Sequence, residues 1–171
     1  NFQALIQNLI YQYRDLETFV FALNQSVYRI TKADKFITFF IAEIDTEQQT
    51  VRYINAGHYP PVMINNGKIR RLDQGSTFIG AFEKLPEIKE EIINIEGETT
   101  ILSFTDGLAE LQDENGLYFD DDKIESFVKE NEAGSPNDFN EKLLAEIDRF
   151  RGGKEYSDDI AILTCKIYGS K

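Results

Sequence analysis

The apolar spacing of the chain changes period once, early, and that change limits the folds open to it. In FQALIQNLIYQY, Leu5, Leu9 and Tyr13 share one helical row, with Ile6 and Ile10 beside it. In LETFVFALNQSVYRI, Leu16, Phe19, Leu23, Val27 and Ile30 again lie on one side, behind Asp15 as a candidate cap. Both have the stripe of an amphipathic helix. The next segment, KFITFFIAEID, is β-branched and aromatic and reads as a strand. After the turn TEQQ, TVRYINA returns as the second arm of a hairpin before GHYPP breaks the pattern.

Strands then dominate. PVMI and KIRRL flank Asn66-Gly67, a dipeptide suited to a type I′ turn because both central residues need positive φ. Beyond the loop GSTFIGAF, EIKEEIINI alternates as far as Glu96-Gly97, and TTILSF has few polar interruptions, as a central strand would. QDENGLYFDDDKIESFVKEN holds a turn, an Asp-rich helix start and a short helix. SPNDFNEKLLAEIDRF makes another, with Ser135 at the cap and Pro136 in the first helical position. RGGKEYSDD is a flexible approach to a last strand, IAILTCKIY. Two helices, several antiparallel strands, two helices and a closing strand describe α+β layers rather than alternating βαβ units. With 171 residues and 42% hydrophobic content, one domain spanning 1–171 can bury a core.

Thirty acidic against eighteen basic residues, a net charge of -12, argue against a nucleic-acid partner, because phosphate backbones are gripped by Lys and Arg. The same surplus suits either a solubilising surface or a site of clustered carboxylates. Cys165 is the only cysteine, so no intrachain disulfide forms and a cytoplasmic setting is the simpler expectation. No apolar run approaches the ~20 residues of a membrane helix, and no leader pattern opens the chain.

Two acidic signals stand at strand ends. Asp106 and Gly107 follow ILSFT, and Asp158-Asp159 precede IAILTC. If these strands are antiparallel neighbours, both signals meet at one sheet edge, where repelling carboxylates would accept a divalent cation, Mg²⁺ or Mn²⁺. Asp-Gly is equally a common turn, and an Asp pair before a strand is equally a solvated loop. His58, in NAGHYPP, is the only histidine, either a loop hydrogen-bonder or a functional group. The acidic stretch from Asp113 fails as an EF-hand, with Tyr118 at the sixth place and Ile124 at the twelfth. The run Asp120 to Asp122 is better explained as helix N-terminal charge.

Taken in order, FITFFIAEID, YINAGHYPPVMI, ILSFTDGLAEL and YSDDIAILTCKI resemble the bacterial SpoIIE/RsbU-type serine/threonine phosphatases, a branch of the PPM (protein phosphatase 2C-like) family. The resemblance covers nearly the whole chain. It implies an α-β-β-α sandwich of two mainly antiparallel sheets flanked by helices, with a binuclear Mn²⁺ or Mg²⁺ centre whose activated water hydrolyses a phosphoserine or phosphothreonine. Matched by position, Asp106 and Asp158 are metal-binding residues, Asp158 preferred over Asp159, and Gly107 allows close backbone approach. His58 stands where the wider family has Gly-Asp-Ser-Arg, and is a candidate for phosphate contact, proton transfer or loop bracing. The implied substrate is a phosphorylated regulator, an anti-sigma-factor antagonist, and the implied neighbour is an upstream sensor domain.

The family's Gly-Asp motif, which supplies the Asp bridging both metals, has no counterpart in the chain, which begins inside the helix that follows it. A domain without its amino-terminal strands is expected to be inactive by itself and to have open sheet edges that favour a homodimer. A noncatalytic regulatory or protein-binding module of the same fold is the competing expectation. A calcium-binding domain built on Asp113 to Asp122 is the third.

Overall fold

The structure, a computed structural model, describes residues 2–169. Helices α1 (Phe2–Gln12) and α2 (Leu16–Thr31) open it. Asp15 is extended and accepts the Thr18 N–H at 2.8 Å, which starts α2. Lys32, at φ 53, ends it by returning its own N–H to the Tyr28 carbonyl. The helical rows are largely the buried ones: Leu9, Leu16, Phe19, Val20, Leu23 and Val27 form one core with Ile54, Ala56 and Ile79. Ile30, on the same row but in the last turn, is exposed.

Four strands make the first sheet: β1 (Phe39–Asp45), β2 (Thr50–Ala56), β5 (Gly75–Ser76) and β6 (Glu91–Asn94). β1 and β2 are the expected antiparallel hairpin. The other edge of β2 is shared, with β6 antiparallel along Thr50 to Tyr53 and the two-residue β5 parallel along Asn55 and Ala56. Both end strands are shorter than their sequence patterns. Ile37 exchanges backbone hydrogen bonds with Ile79, so β1 begins only at Phe39. The Lys89 and Glu90 N–H groups go to the Gly75 carbonyl and the Glu17 carboxylate, so the β6 ladder begins at Glu91.

The second sheet runs β4-β3-β7-β8, antiparallel throughout, from β3 (Val62–Asn65), β4 (Lys68–Arg71), β7 (Thr99–Phe104) and β8 (Ile162–Ile167). Asn66 and Gly67 take φ 51 and 72, as a type I′ turn requires. Helices α3 (Asp106–Ala109), α4 (Asp121–Glu130) and α5 (Pro136–Arg151) cover one face. Val62, Ile64, Leu102 and Phe104 from the strands pack with Leu108, Leu111, Ile124, Val128, Leu143 and Ile147. Asp120 caps α4, and Ser135 with Asp138 forms a capping box at α5.

The described chain divides into two compact units, residues up to His58 with Asp73–Asn94, and Tyr59–Leu72 with everything from Ile95 onward. Each holds one sheet and its helices. The fold is thus mixed α+β with two mainly antiparallel sheets. No described helix is long and apolar enough to cross a membrane.

Candidate metal centre

Within the second unit, β7 lies between β3 and β8 and is buried at Thr99, Thr100, Ile101, Leu102 and Phe104. The last pair of its ladder with β8 is Phe104 and Ile162. Antiparallel pairing therefore sends the chain out through Thr105 and Asp106 at the edge where Asp158 to Ala161 bring it back. One further backbone bond, Thr105 N–H to the Ala161 carbonyl at 3.1 Å, extends the pairing past the strands. Asp106 then opens the single turn of α3, where local chemistry alone had suggested an ordinary Asp-Gly turn.

Thr105 joins the two acidic loops through its side chain as well. Its hydroxyl donates to the Asp159 carbonyl at 2.9 Å and accepts the Ala161 N–H at 3.0 Å. The N-cap position of α3 would usually turn that hydroxyl onto its own helix, but this one makes no cap bond. Gly107 is buried against the same loop. A Cβ there would stand 2.7 Å from the Asp159 carbonyl oxygen and 3.2 Å from its carbon, so space, not an unusual φ, demands glycine.

The Asp106 carboxylate accepts the Gly107 N–H at 3.0 Å, and that of Asp158 accepts the Asp159 N–H at 2.7 Å. Asp106, Asp158 and Asp159 are all exposed. A carboxylate accepts up to about four hydrogen bonds, so each of these two keeps capacity for a cation. The far end of the second loop makes side-chain contacts too. The Arg151 guanidinium lies 4.7 Å from the Tyr156 ring centre and bonds Asp148 and the Lys154 carbonyl, while the Tyr156 hydroxyl donates to Asp148 at 2.9 Å. Within RGGKEYSDD, Arg151, Lys154 and Tyr156 thus have partners that the glycines of the segment do not advertise.

His58 belongs to the first unit. Gly57, at φ 74, turns the chain out of β2 so closely that a Cβ would come within 2.9 Å of the Phe78 nitrogen. The His58 N–H then donates to the buried Asn55 side chain at 2.8 Å, bracing the backbone of the half-buried histidine. Asp106, Gly107, Asp158 and Asp159 are brought together at one sheet edge of the second unit.

The sequence profile of the Stage II sporulation protein E (SpoIIE) family matches residues 2–168. The chain belongs to the SpoIIE family. No curated protein matches it. Among solved structures it is similar to the SiaA-PP2C domain of Pseudomonas aeruginosa, at TM-score 0.85 and 16% identity, over 97% of this chain and 67% of that one. The PP2C phosphatase domain of SpoIIE from Bacillus subtilis, solved with a fragment of its regulatory domain, aligns at TM-score 0.79 and 15% identity, over 95% and 47%. The RsbU and RsbW domains of a Mycobacterium tuberculosis protein align at 0.75 and 17%, over 99% and 48%. The chain therefore spans about half the length of two of these three, and shares the PP2C-type phosphatase fold.

SpoIIE-type domains belong to the metal-dependent PP2C class, and the fit of this chain to a metal rests on its donors. The edge offers oxygen donors, the Asp106 and Asp158 carboxylates among them, of the kind Mg²⁺ and Mn²⁺ prefer. The space a Cβ would fill at Gly107 keeps the two loops within contact distance. Among the described residues no three His, Cys, Asp or Glu side chains are placed to hold an ion together. The SpoIIE-family edge thus fits part of a hard-cation site.

Sequence reading missed two features here. Thr105 had no signal, because its partners are set by strand register. The second feature surrounds Tyr59. Its hydroxyl donates to Asp121 at 2.8 Å, and Arg71 bridges Asp121 at 3.0 Å and Glu125 at 2.8 Å. The Tyr59 ring also lies 5.2 Å from that of Phe104, next to the Thr105 clamp. Burial, aided by the bond to Asp121, pushes the Tyr59 phenol up to about 12.

Proposed function

We propose that this SpoIIE-family chain is the major part of the catalytic domain of a metal-dependent protein serine/threonine phosphatase, with Asp106 and Asp158 as ligands for Mn²⁺ or Mg²⁺. The observation that carries the reading is the Thr105-clamped meeting of the two Asp loops at one sheet edge, in a PP2C-type fold. The ion, when bound, supplies an acidified water able to attack phosphorus. Asp106 and Asp158 hold the positive charge, Asp159 shapes the loop through its carbonyl, and Gly107 lets the backbones approach. His58 acts chiefly by bracing its loop. A binuclear centre needs a further shared carboxylate, which the described residues do not offer. The 171-residue chain alone is then inactive or nearly so.

The substrate in this reading is a phosphorylated regulatory protein, an anti-sigma-factor antagonist, dephosphorylated in the cytoplasm under control of an upstream sensor domain. Support for this class comes from the similarity to a chain with RsbU and RsbW domains. A homodimer forms through open strand edges. The second reading, a noncatalytic binding module of the same fold, is favoured by the incomplete ligand set. Phosphate release by the full-length protein from serine-phosphorylated and tyrosine-phosphorylated proteins separates the two. The expected result is release from the serine form in Mn²⁺ or Mg²⁺, abolished by chelation. No release under any metal condition favours the binding module, and release unaffected by chelation rejects the metal assignment.

A further inference from the structure

We infer that Thr105 is a positioning residue for the metal edge, holding the Asp158-Asp159 loop in register with Asp106 through its hydroxyl. The inference rests on the reading of Asp106 and Asp158 as ligands. Its own ground is the geometry of one side chain. The hydroxyl hydrogen is spent on the Asp159 carbonyl at 2.9 Å, and an oxygen lone pair takes the Ala161 N–H at 3.0 Å. Both partners lie on the segment carrying the acidic pair, 54 and 56 residues further along the chain. Asp106 is the next residue after Thr105, so whatever fixes the Thr105 hydroxyl fixes the separation of the two acidic loops.

The backbone shows why a side chain is needed. Beyond Phe104 and Ile162 the ladder has one remaining bond, Thr105 N–H to Ala161, and then the strands part into α3 and the incoming loop. Gly107 sets how near the Asp159 carbonyl can come but contributes no side-chain bond to it. Without the hydroxyl, the Asp159 carbonyl and the Ala161 N–H each lose this partner and can turn elsewhere. A ligand held by outer hydrogen bonds commonly loses about 10- to 100-fold in metal affinity when that support is removed.

The test is a Mn²⁺ titration of the isotope-labelled chain, followed by paramagnetic broadening of the Gly107 and Asp159 amide signals. Thr105→Val, which keeps the shape but not the hydroxyl, should weaken Mn²⁺ binding about tenfold or more. Thr105→Ser should stay within about twofold of wild type, since it keeps the hydroxyl. Amide exchange at Ala161 should quicken in Thr105→Val and not in Thr105→Ser. Asp106→Asn and Asp158→Asn should each abolish the local broadening. Loss in the Asp variants with wild-type affinity in Thr105→Val overturns the inference and leaves the ligand reading standing. Equal loss in Thr105→Val and Thr105→Ser also overturns it. Absence of broadening at this edge in wild type, or unchanged broadening in both Asp variants, overturns the ligand reading and the inference with it. If Thr105→Val does not fold, the Thr105→Ser comparison decides, and a tenfold loss there rejects the role of the hydroxyl.

Discussion

A methyl group on residue 107 would have to enter space already held by the Asp159 carbonyl, 2.7 Å away. Backbone is the obstacle, so the loop rather than a rotamer must move. Gly107→Ala should destabilise the protein by about 1–3 kcal/mol, the usual cost of overpacking. Thermal unfolding measures this, and an unchanged midpoint would show that the loop yields freely. Tyr59 makes a prediction with pH. Its phenol titrates near 12 in the fold, above the ordinary value of 10.0, because burial and Asp121 favour the neutral form. The stabilisation is fully present below pH 10 and is lost as pH rises toward 12. Denaturant unfolding across that window should fall less steeply in Tyr59→Phe than in wild type. Identical slopes would mean that the phenol is not held by the fold.

At the scale of elements, the buried cation of β8 ties strand to helices. The Lys166 side chain is 3% exposed, pairs with Glu98, and donates to the Glu132 and Gly134 carbonyls at 2.7 Å. These carbonyls lie in the connection between α4 and α5. Lys166→Met keeps the aliphatic stem but removes the bonds to both carbonyls, which lie on the exposed residues Glu132 and Gly134, and should cost about 0.5–1.5 kcal/mol in denaturant unfolding. A cost near zero would mean that water replaces the ammonium. The elements most legible in the sequence were those with a local cause. Asp15 and Ser135 cap helices with their own side chains, and Asn66-Gly67 makes its hairpin because both residues tolerate positive φ. The four-residue α3 and two-residue β5 were not legible. Each is too short for a periodicity and exists because of partners far along the chain. The candidate site divides the same way. Asp106 and Asp158 stand out as acids at strand ends, whereas Thr105 is visible only once β7 and β8 are paired.

At the scale of the whole molecule, the net charge of -12 and the free edges of the sheets act in opposite directions on association. β1 and β8 each end a sheet among the described residues, and Leu163 on β8 is 69% exposed. Light scattering at high concentration should report a dimer, and Leu163→Lys should restore the monomer. A monomer at every concentration would remove edge pairing from the account. The central claim is that acidic loops meeting at one sheet edge serve phosphate hydrolysis. Its most direct test is the rate at which the full-length protein, in Mn²⁺, releases phosphate from a serine-phosphorylated protein, compared with its Asp106→Asn variant. Loss of a ligand carboxylate should lower that rate about 100-fold or more, as removal of a charge-stabilising group commonly does. An Asp106→Asn protein that works at the wild-type rate would contradict the account.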